Sequence, residues 1–190
     1  LIFLNISFLS NLLAQNNSLL SSGDWFKVTT NQDRIYKLDY SDFQELGINI
    51  SNININSIKL YGHGAGMLPN LNSDFRHTDL VENAIDVYDY NQNGWFDEDD
   101  YILFYGTSPS IWKYNEDINL FEHENHLFVD EVSYFITIND QASGKRILEK
   151  DVLQNSSRTI TSFTAYSYHQ KDLENLIQSG RKWFGERFSY

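Results

Sequence analysis

A chain of 190 residues with 26 acidic and 14 basic side chains carries a formal net charge of −12. Such a chain repels duplex nucleic acid and anionic lipid, and with no basic cluster anywhere a nucleic-acid partner is excluded. The length allows one domain with a real core, or one domain and the start of another. There is no Cys, so disulfides, thiolate zinc sites and a cysteine nucleophile are all excluded from these residues.

The first 14 residues, Leu1 to Ala14, are uncharged and rich in Leu, Ile and Phe. They are too short for a transmembrane helix, which needs about 20 apolar residues, and match the apolar region of a signal peptide whose basic n-region is missing. Cleavage after Ala14 or Gln15 follows, giving a signal peptide over 1–15; the competing reading is a buried N-terminal strand or helix. Export without disulfides is open to a chain long enough to hold a core unaided.

Aromatic residues make up 15% of the chain and Pro only 2 positions, a balance that favours pleated, half-buried strands. Period-two alternation predicts strands over Trp25–Thr29 and Arg34–Leu38, joined as a hairpin by a longer loop. Asp39 or Ser41 caps a short helix through Leu46, with Gly47 as its stop. The Asn-rich run 48–57 reads as a loop into a strand over Ser57–Tyr61. Gly62 to Asn70, GHGAGMLPN, reads as a glycine-rich turn. It lacks the Lys-Ser/Thr of a P-loop and has no GxSxG companion.

Further strands are predicted over Leu80–Tyr88, Tyr101–Tyr105, Ser110–Asn119, Leu120–Asp130 and Val132–Asn139. Lys145–Asp151 is one more strand or a linker. Apolar content falls at Gln154–Ser157, where a boundary divides a domain over 16–155 from the start of a second over 156–190. In the second, Thr159–Tyr166 is strand-like and Tyr168–Ser179 is the best helix, stopped by Gly180. The fold class is therefore mainly β, an antiparallel β-rich domain with one or two short helices, followed by the start of a second β-rich domain.

The most specific local pattern is Asp89–Asp100, DYNQNGWFDEDD. Asp89, Asn91, Asn93, Trp95, Asp97 and Asp100 occupy positions 1, 3, 5, 7, 9 and 12 of an EF-hand-type calcium loop, Trp95 through its carbonyl, and Gly94 sits at the sharp-turn position 6. Phe96 faces the other way as an apolar anchor. Asp86 and Asp99 add negative charge nearby. The flanks look like strands, so a calcium ion here would sit on a β scaffold. The competing reading is a hairpin tip, for which Asn93-Gly94 is itself a turn dipeptide, and Asp at position 12 is a weaker ligand than a bidentate Glu.

The histidines offer less. His123 and His126 would share a face of a helix, as a metal pair needs, but fall on opposite faces of a strand. His63, His77 and His169 have no nucleophile or acid near them in sequence. Trp183 and Phe184 suit either a stacked ligand or packing on a sheet.

Six segments, in order and spacing, resemble the N-terminal region of the PorU family, gingipain-related sortases of the type IX secretion system. They are SGDWFKV (22–28), RIYKLDY (34–40), KLYGHGAGMLP (59–69), DLVENAI (79–85), DEDDYILFYG (97–106) and SGRKWFGERF (179–188). The resemblance implies an exported protein held at the cell surface by an outer-membrane β-barrel partner such as PorV. Whole members are similar to cysteine peptidases that remove C-terminal signal domains from cargo proteins and attach the cargo to the cell surface. That chemistry uses a Cys nucleophile and a His base. Without Cys, no catalytic residue carries over, and these residues correspond to the β-rich part before the peptidase. The alternative is a secreted, calcium-stabilised β-rich binding or adhesion module with no enzymatic activity, using exposed aromatics to hold a glycan or partner.

Overall fold

The computed structural model describes residues 18–139, 141–151, 158–163, 165–176, 178 and 183–189. The expected signal peptide and the expected domain boundary at 154–157 lie outside them. Among the described residues, nine strands follow in chain order: β1 (Phe26–Thr30), β2 (Arg34–Asp39), β3 (Ile58–Gly62), β4 (Val81–Asn83), β5 (Asp86–Tyr88), β6 (Tyr101–Gly106), β7 (Ile111–Asn115), β8 (Leu120–Glu124) and β9 (Val132–Ile138). One α-helix, α1 (Tyr40–Glu45), and 3-10 turns at Leu19–Ser21 and Ile55–Ser57 complete the regular structure of the described residues. The fold is mainly antiparallel β, as the alternation predicts.

The strands form a four-stranded sheet in the order β1-β9-β3-β4, a three-stranded sheet β2-β6-β5, and a β7-β8 hairpin. Their inner faces share one core. Ile58, Leu60, Tyr134 and Ile136 of the larger sheet meet Ile102 and Phe104 of the smaller, with Phe43 of α1 and Phe96 of the 89–100 loop added from the loops and helix. The Phe104 and Tyr134 rings approach to 5.4 Å between centroids. Alternation explains the arrangement: in β9 the residues at 132, 134 and 136 are buried while 133 and 135 are only half-buried. Among the described residues, no helix is long and apolar enough to cross a membrane.

Helix α1 begins as its sequence dictates. The Asp39 carboxylate accepts from the backbone N–H groups of Ser41 and Asp42, and the Asp42 side chain accepts in return from the Asp39 N–H. This reciprocal cap satisfies donors the first turn leaves orphaned. Gly47 takes φ +80°, the left-handed stop that a Cβ would penalise.

Several expectations are corrected. The predicted hairpin of the first two strands does not form: β1 pairs with β9 and β2 with β6, in different sheets. The turn between them is tied elsewhere, with Thr30 Oγ1 donating to the Thr107 carbonyl and Ser108 N–H to Asp33. The single strand over Leu80–Tyr88 is broken into β4 and β5, which belong to different sheets. The predicted strand over Ser110–Asn119 ends at Asn115, and that over Leu120–Asp130 ends at Glu124.

The described residues of Thr159–Tyr166 and Tyr168–Ser179 carry neither strand nor helix. Leu173 and Leu176 are 56% and 63% exposed, so a helix there would have no apolar face to bury, and packing is where most helix stability originates. Instead Leu173 and Glu174 bond through their backbone to Phe184. Tyr166 packs on Trp112 and Phe121, and Tyr168 on Trp112 and His123, all of the β7-β8 hairpin.

The 144–147 segment is the least expected part of the fold. It carries no strand, yet it fills the break between β4 and β5. Ile85 N–H donates to the Lys145 carbonyl, and Ile147 N–H to the Ile85 carbonyl. The Arg146 guanidinium donates to the carbonyls of Ile55 (2.6 Å) and Ile58 (3.1 Å). Burial pushes its pKa down, opposed by the Glu82 carboxylate. Arg146→Met removes both charge-assisted bonds and leaves carbonyls unpaired, so unfolding in urea should show a loss of about 2–4 kcal/mol. An unchanged urea midpoint would remove Arg146 from the list of residues that hold the fold.

Candidate functional site

The acidic loop is the connection between β5 and β6, which pair antiparallel through Tyr88 and Tyr101. It therefore sits at the end of a β-hairpin, as the strand-like flanks predict. Its shape is set from within. Gly94 adopts φ +81° at the turn position, where a side chain would be strained. The Asp89 carboxylate accepts from the N–H of Asn93 (3.2 Å) and Gly94 (2.8 Å). The Asn91 and Asn93 amide oxygens accept from the N–H groups of Asn93 and Trp95.

The far side of the loop is anchored to the core. Phe96 is 3% exposed and lies 4.6 Å from the Phe43 ring of α1. Its N–H donates to the Ile53 carbonyl, while Ile55 N–H donates to Gly94, so the loop pairs with the 53–55 segment through an Asn54–Trp95 bridge. Asp100 is 1% exposed; one oxygen accepts from Tyr90 N–H and the other from Asp97 N–H, both at 2.8 Å. A buried carboxylate with both oxygens so satisfied is a structural staple.

All six predicted ligand residues lie in this one loop, but their carboxylates do not converge. Asp97 is instead held by the Asn91 and Asn93 amide N–H groups at 2.7 and 3.1 Å. Among the described residues, no group of three or more His, Asp or Glu is placed to hold a metal ion. The donor atoms are nonetheless all oxygens, the kind a hard cation such as calcium takes.

The Asn-rich run opposite the loop is the feature that sequence reasoning passed over as a plain connection. Its isoleucines point inward: Ile48 and Ile53 are buried, with Ile50 and Ile55 packed beside them. The interleaved asparagines are left outside. Asn52, Asn54 and Asn56 line a cavity of about 490 Å³ with Ser57, Trp95, Ala142 and Ser143. A second cavity of about 640 Å³ shares Asn52 and Trp95 and extends to Asn91, Asn93 and Asp97. The Ile-Asn alternation was the available signal.

The histidines are dispersed. His123 stacks on Tyr168 at 3.3 Å and meets Trp112 edge-on; its Nδ1 is buried and, among the described residues, has no hydrogen-bond partner. His126 lies past the end of β8 and accepts through Nδ1 from the N–H groups of Phe128 and Val129, a turn role. His63 and His77 stack at 5.5 Å, and His169 pairs with Glu186 at the surface. The glycine-rich turn at 62–70 is tied down by Gly66 N–H donating to the Pro109 carbonyl.

No family model matches the chain, and no curated protein matches it. Its fold is similar to part of a solved structure of dimeric latent PorU from Porphyromonas gingivalis, with a TM-score of 0.53 and 22% identity. The likeness covers 75% of this chain and 12% of that one. At this identity it shows a PorU-like fold.

Desolvation pushes the His123 pKa down, which makes a pH dependence testable. The unfolded chain binds the proton first as pH falls below about 6.5, so stability present above that value is lost as pH drops toward the folded pKa. His123→Phe keeps a ring against Tyr168 and removes the titration. Between pH 7 and 5.5 its urea midpoint should fall less than that of the parent chain. Equal falls would take His123 out of the acid response.

Proposed function

We propose that this chain is the non-catalytic, β-rich front part of a PorU-type sortase of the type IX secretion system. The observation that carries this reading is the PorU-like fold over 75% of the chain, joined to six resembling segments in the same order. On this reading the whole protein is an exported cysteine peptidase at the outer-membrane surface. It removes C-terminal signal domains from cargo proteins and attaches the cargo to the cell surface. A β-barrel such as PorV holds it there, and the present residues support or dock the peptidase. Their lack of Cys is consistent with a supporting role, since the nucleophile would come from elsewhere in the protein.

The deciding experiment reads the coding sequence beyond the Tyr190 codon. The expected result is a continuing frame with a His and a later Cys in gingipain-like context, and deletion of the gene in its host should leave cargo proteins with their C-terminal signal domains uncleaved. A stop codon close to Tyr190, or normal cargo processing after deletion, overturns the reading.

Within that role, the proposal gives the 89–100 loop a structural calcium ion, held by Asp89, Asn91, Asn93, the Trp95 carbonyl, Asp97 and Asp100. The all-oxygen donor set and the turn at Gly94 support it. Calcium modules outside the cell bind with Kd of about 10⁻⁴–10⁻³ M, so about 10 mM calcium would add roughly 1.4–2.7 kcal/mol, or roughly 3–10 °C in Tm for a chain of this length. The chain purified in chelator should show this rise, and Asp89→Ala should abolish it. No rise in the parent chain leaves the hydrogen-bonded turn alone.

A further inference from the structure

We propose that the cleft lined by the Asn-rich run, Trp95 and residues 142–143 binds a neutral oligosaccharide. Its lining of Asn52, Asn54, Asn56, Ser57, Trp95, Ala142 and Ser143 holds no charged side chain, although the chain as a whole carries −12. An anion or cation would find no counter-charge there, and a hydrocarbon ligand would strand the amides without partners. Each carboxamide offers two donors and a two-lone-pair acceptor, which together match adjacent sugar hydroxyls. Trp95 is 47% exposed, and the negative face of its indole attracts the electropositive C–H face of a pyranose ring.

The wall is held before any ligand arrives. Asn54 bridges Trp95 through the backbone. Its carbonyl accepts from both the N–H and the Oγ of Ser57, at 2.9 and 2.7 Å. Its Oδ1 accepts from Asn56 N–H at 2.9 Å, and the Asn56 carbonyl accepts from Gly144 N–H at 2.8 Å. Among the described residues, the side-chain amides of Asn52 and Asn56 have no hydrogen-bond partner of their own. Polar groups left open on a fixed backbone lower the ordering cost of binding.

Size favours more than one ring. The cleft of about 490 Å³ and its neighbour of about 640 Å³ both fall in the range of small-molecule sites, roughly 300–1,000 Å³. Because Trp95 and Asn52 line both cavities, the indole lies between two adjacent subsites. The second is acidic at its far side through Asp97, Glu98 and Asp99, which disfavours sugars bearing carboxylate or sulfate. The inference stands on this cleft alone, independent of the likeness to PorU.

The test uses the whole chain labelled with ¹⁵N, whose 4 tryptophans give separate indole N–H resonances. Maltotriose, cellotriose and chitotriose are titrated to roughly 10 mM each, enough to saturate a site of millimolar Kd. The Trp95 resonance, assigned by its loss in Trp95→Phe, should move saturably with at least one sugar while the other three stay in place. Asn56→Ala should weaken that binding about fivefold, the worth of one neutral hydrogen bond. Unmoved positions of the remaining indoles report that each variant is folded. The proposal fails if Trp95 stays still with all three sugars, if all four indoles move together, or if Asn52→Ala combined with Asn56→Ala leaves the affinity unchanged.

Discussion

The placement of β9 between β1 and β3 is the constraint on which the rest of the molecule depends. It closes the larger sheet by pairing on both edges, and it delivers Tyr134 into the space between the sheets. That ring is 2% exposed and meets Phe104 of the facing sheet, while its hydroxyl accepts from Thr107 N–H at 3.2 Å. A buried phenol needs such a partner. Room for it comes from Gly62 on β3, where a Cβ would lie 2.7 Å from the Tyr134 ring. One tyrosine therefore couples the two sheets, the β6-β7 connection and the requirement for glycine at the end of β3.

The candidate sites inherit their order from that core. The 89–100 loop cannot move as a unit away from the body, because Phe96 is sunk beside Phe43 and backbone bonds join Phe96 to Ile53 and Ile55 to Gly94. The same anchoring presses Gly94–Phe96 against Ile53–Ile55 and leaves Trp95 outside, next to the asparagines. A loop that looks like a metal site and a cleft that looks like a ligand site are thus two sides of one short backbone pairing. Any event that stiffens the loop stiffens one wall of the cleft.

What the sequence made legible was local. Period-two alternation located β1 and β2, and β-rich composition β3, β6 and β9, to within a residue or two. Capping chemistry gave the start and stop of α1, and the inward phase of Phe96 was apparent from its place at position 8 of the loop. What stayed hidden was non-local. Nothing in WFKVT or RIYKL states that each will pair with a strand 62 to 110 residues away, so adjacency suggested a hairpin. Leu173, Leu176 and Ile177 have helical spacing, but the described part of that segment is held by contacts to Trp112, His123 and Phe184 that only the fold reveals. Arg146 reads as one charge in a strand or linker until Ile55 and Ile58 present their carbonyls to it. The Asn-rich run was read correctly as connecting, and its alternation of buried Ile with outward Asn was informative about a surface, which a search for strands and helices overlooks.

The residues that carry the PorU resemblance are, with few exceptions, those the packing needs. SGDWFKV runs into β1, RIYKLDY is β2 with the cap of α1, and KLYGHGAGMLP is β3 with the turn beyond it. DLVENAI holds β4 and the buried Ile85, and DEDDYILFYG joins the Asp100 staple to β6. Framework residues are constrained by neighbours on several sides, so they keep a pattern where surfaces drift, and a likeness built on them reports architecture first. The asparagines at 52, 54 and 56 fall outside every one of these segments, and Trp95 stands just before one of them. Chemistry particular to this chain is therefore to be sought in the interval between its framework motifs, where an uncharged cleft has formed on a strongly acidic molecule.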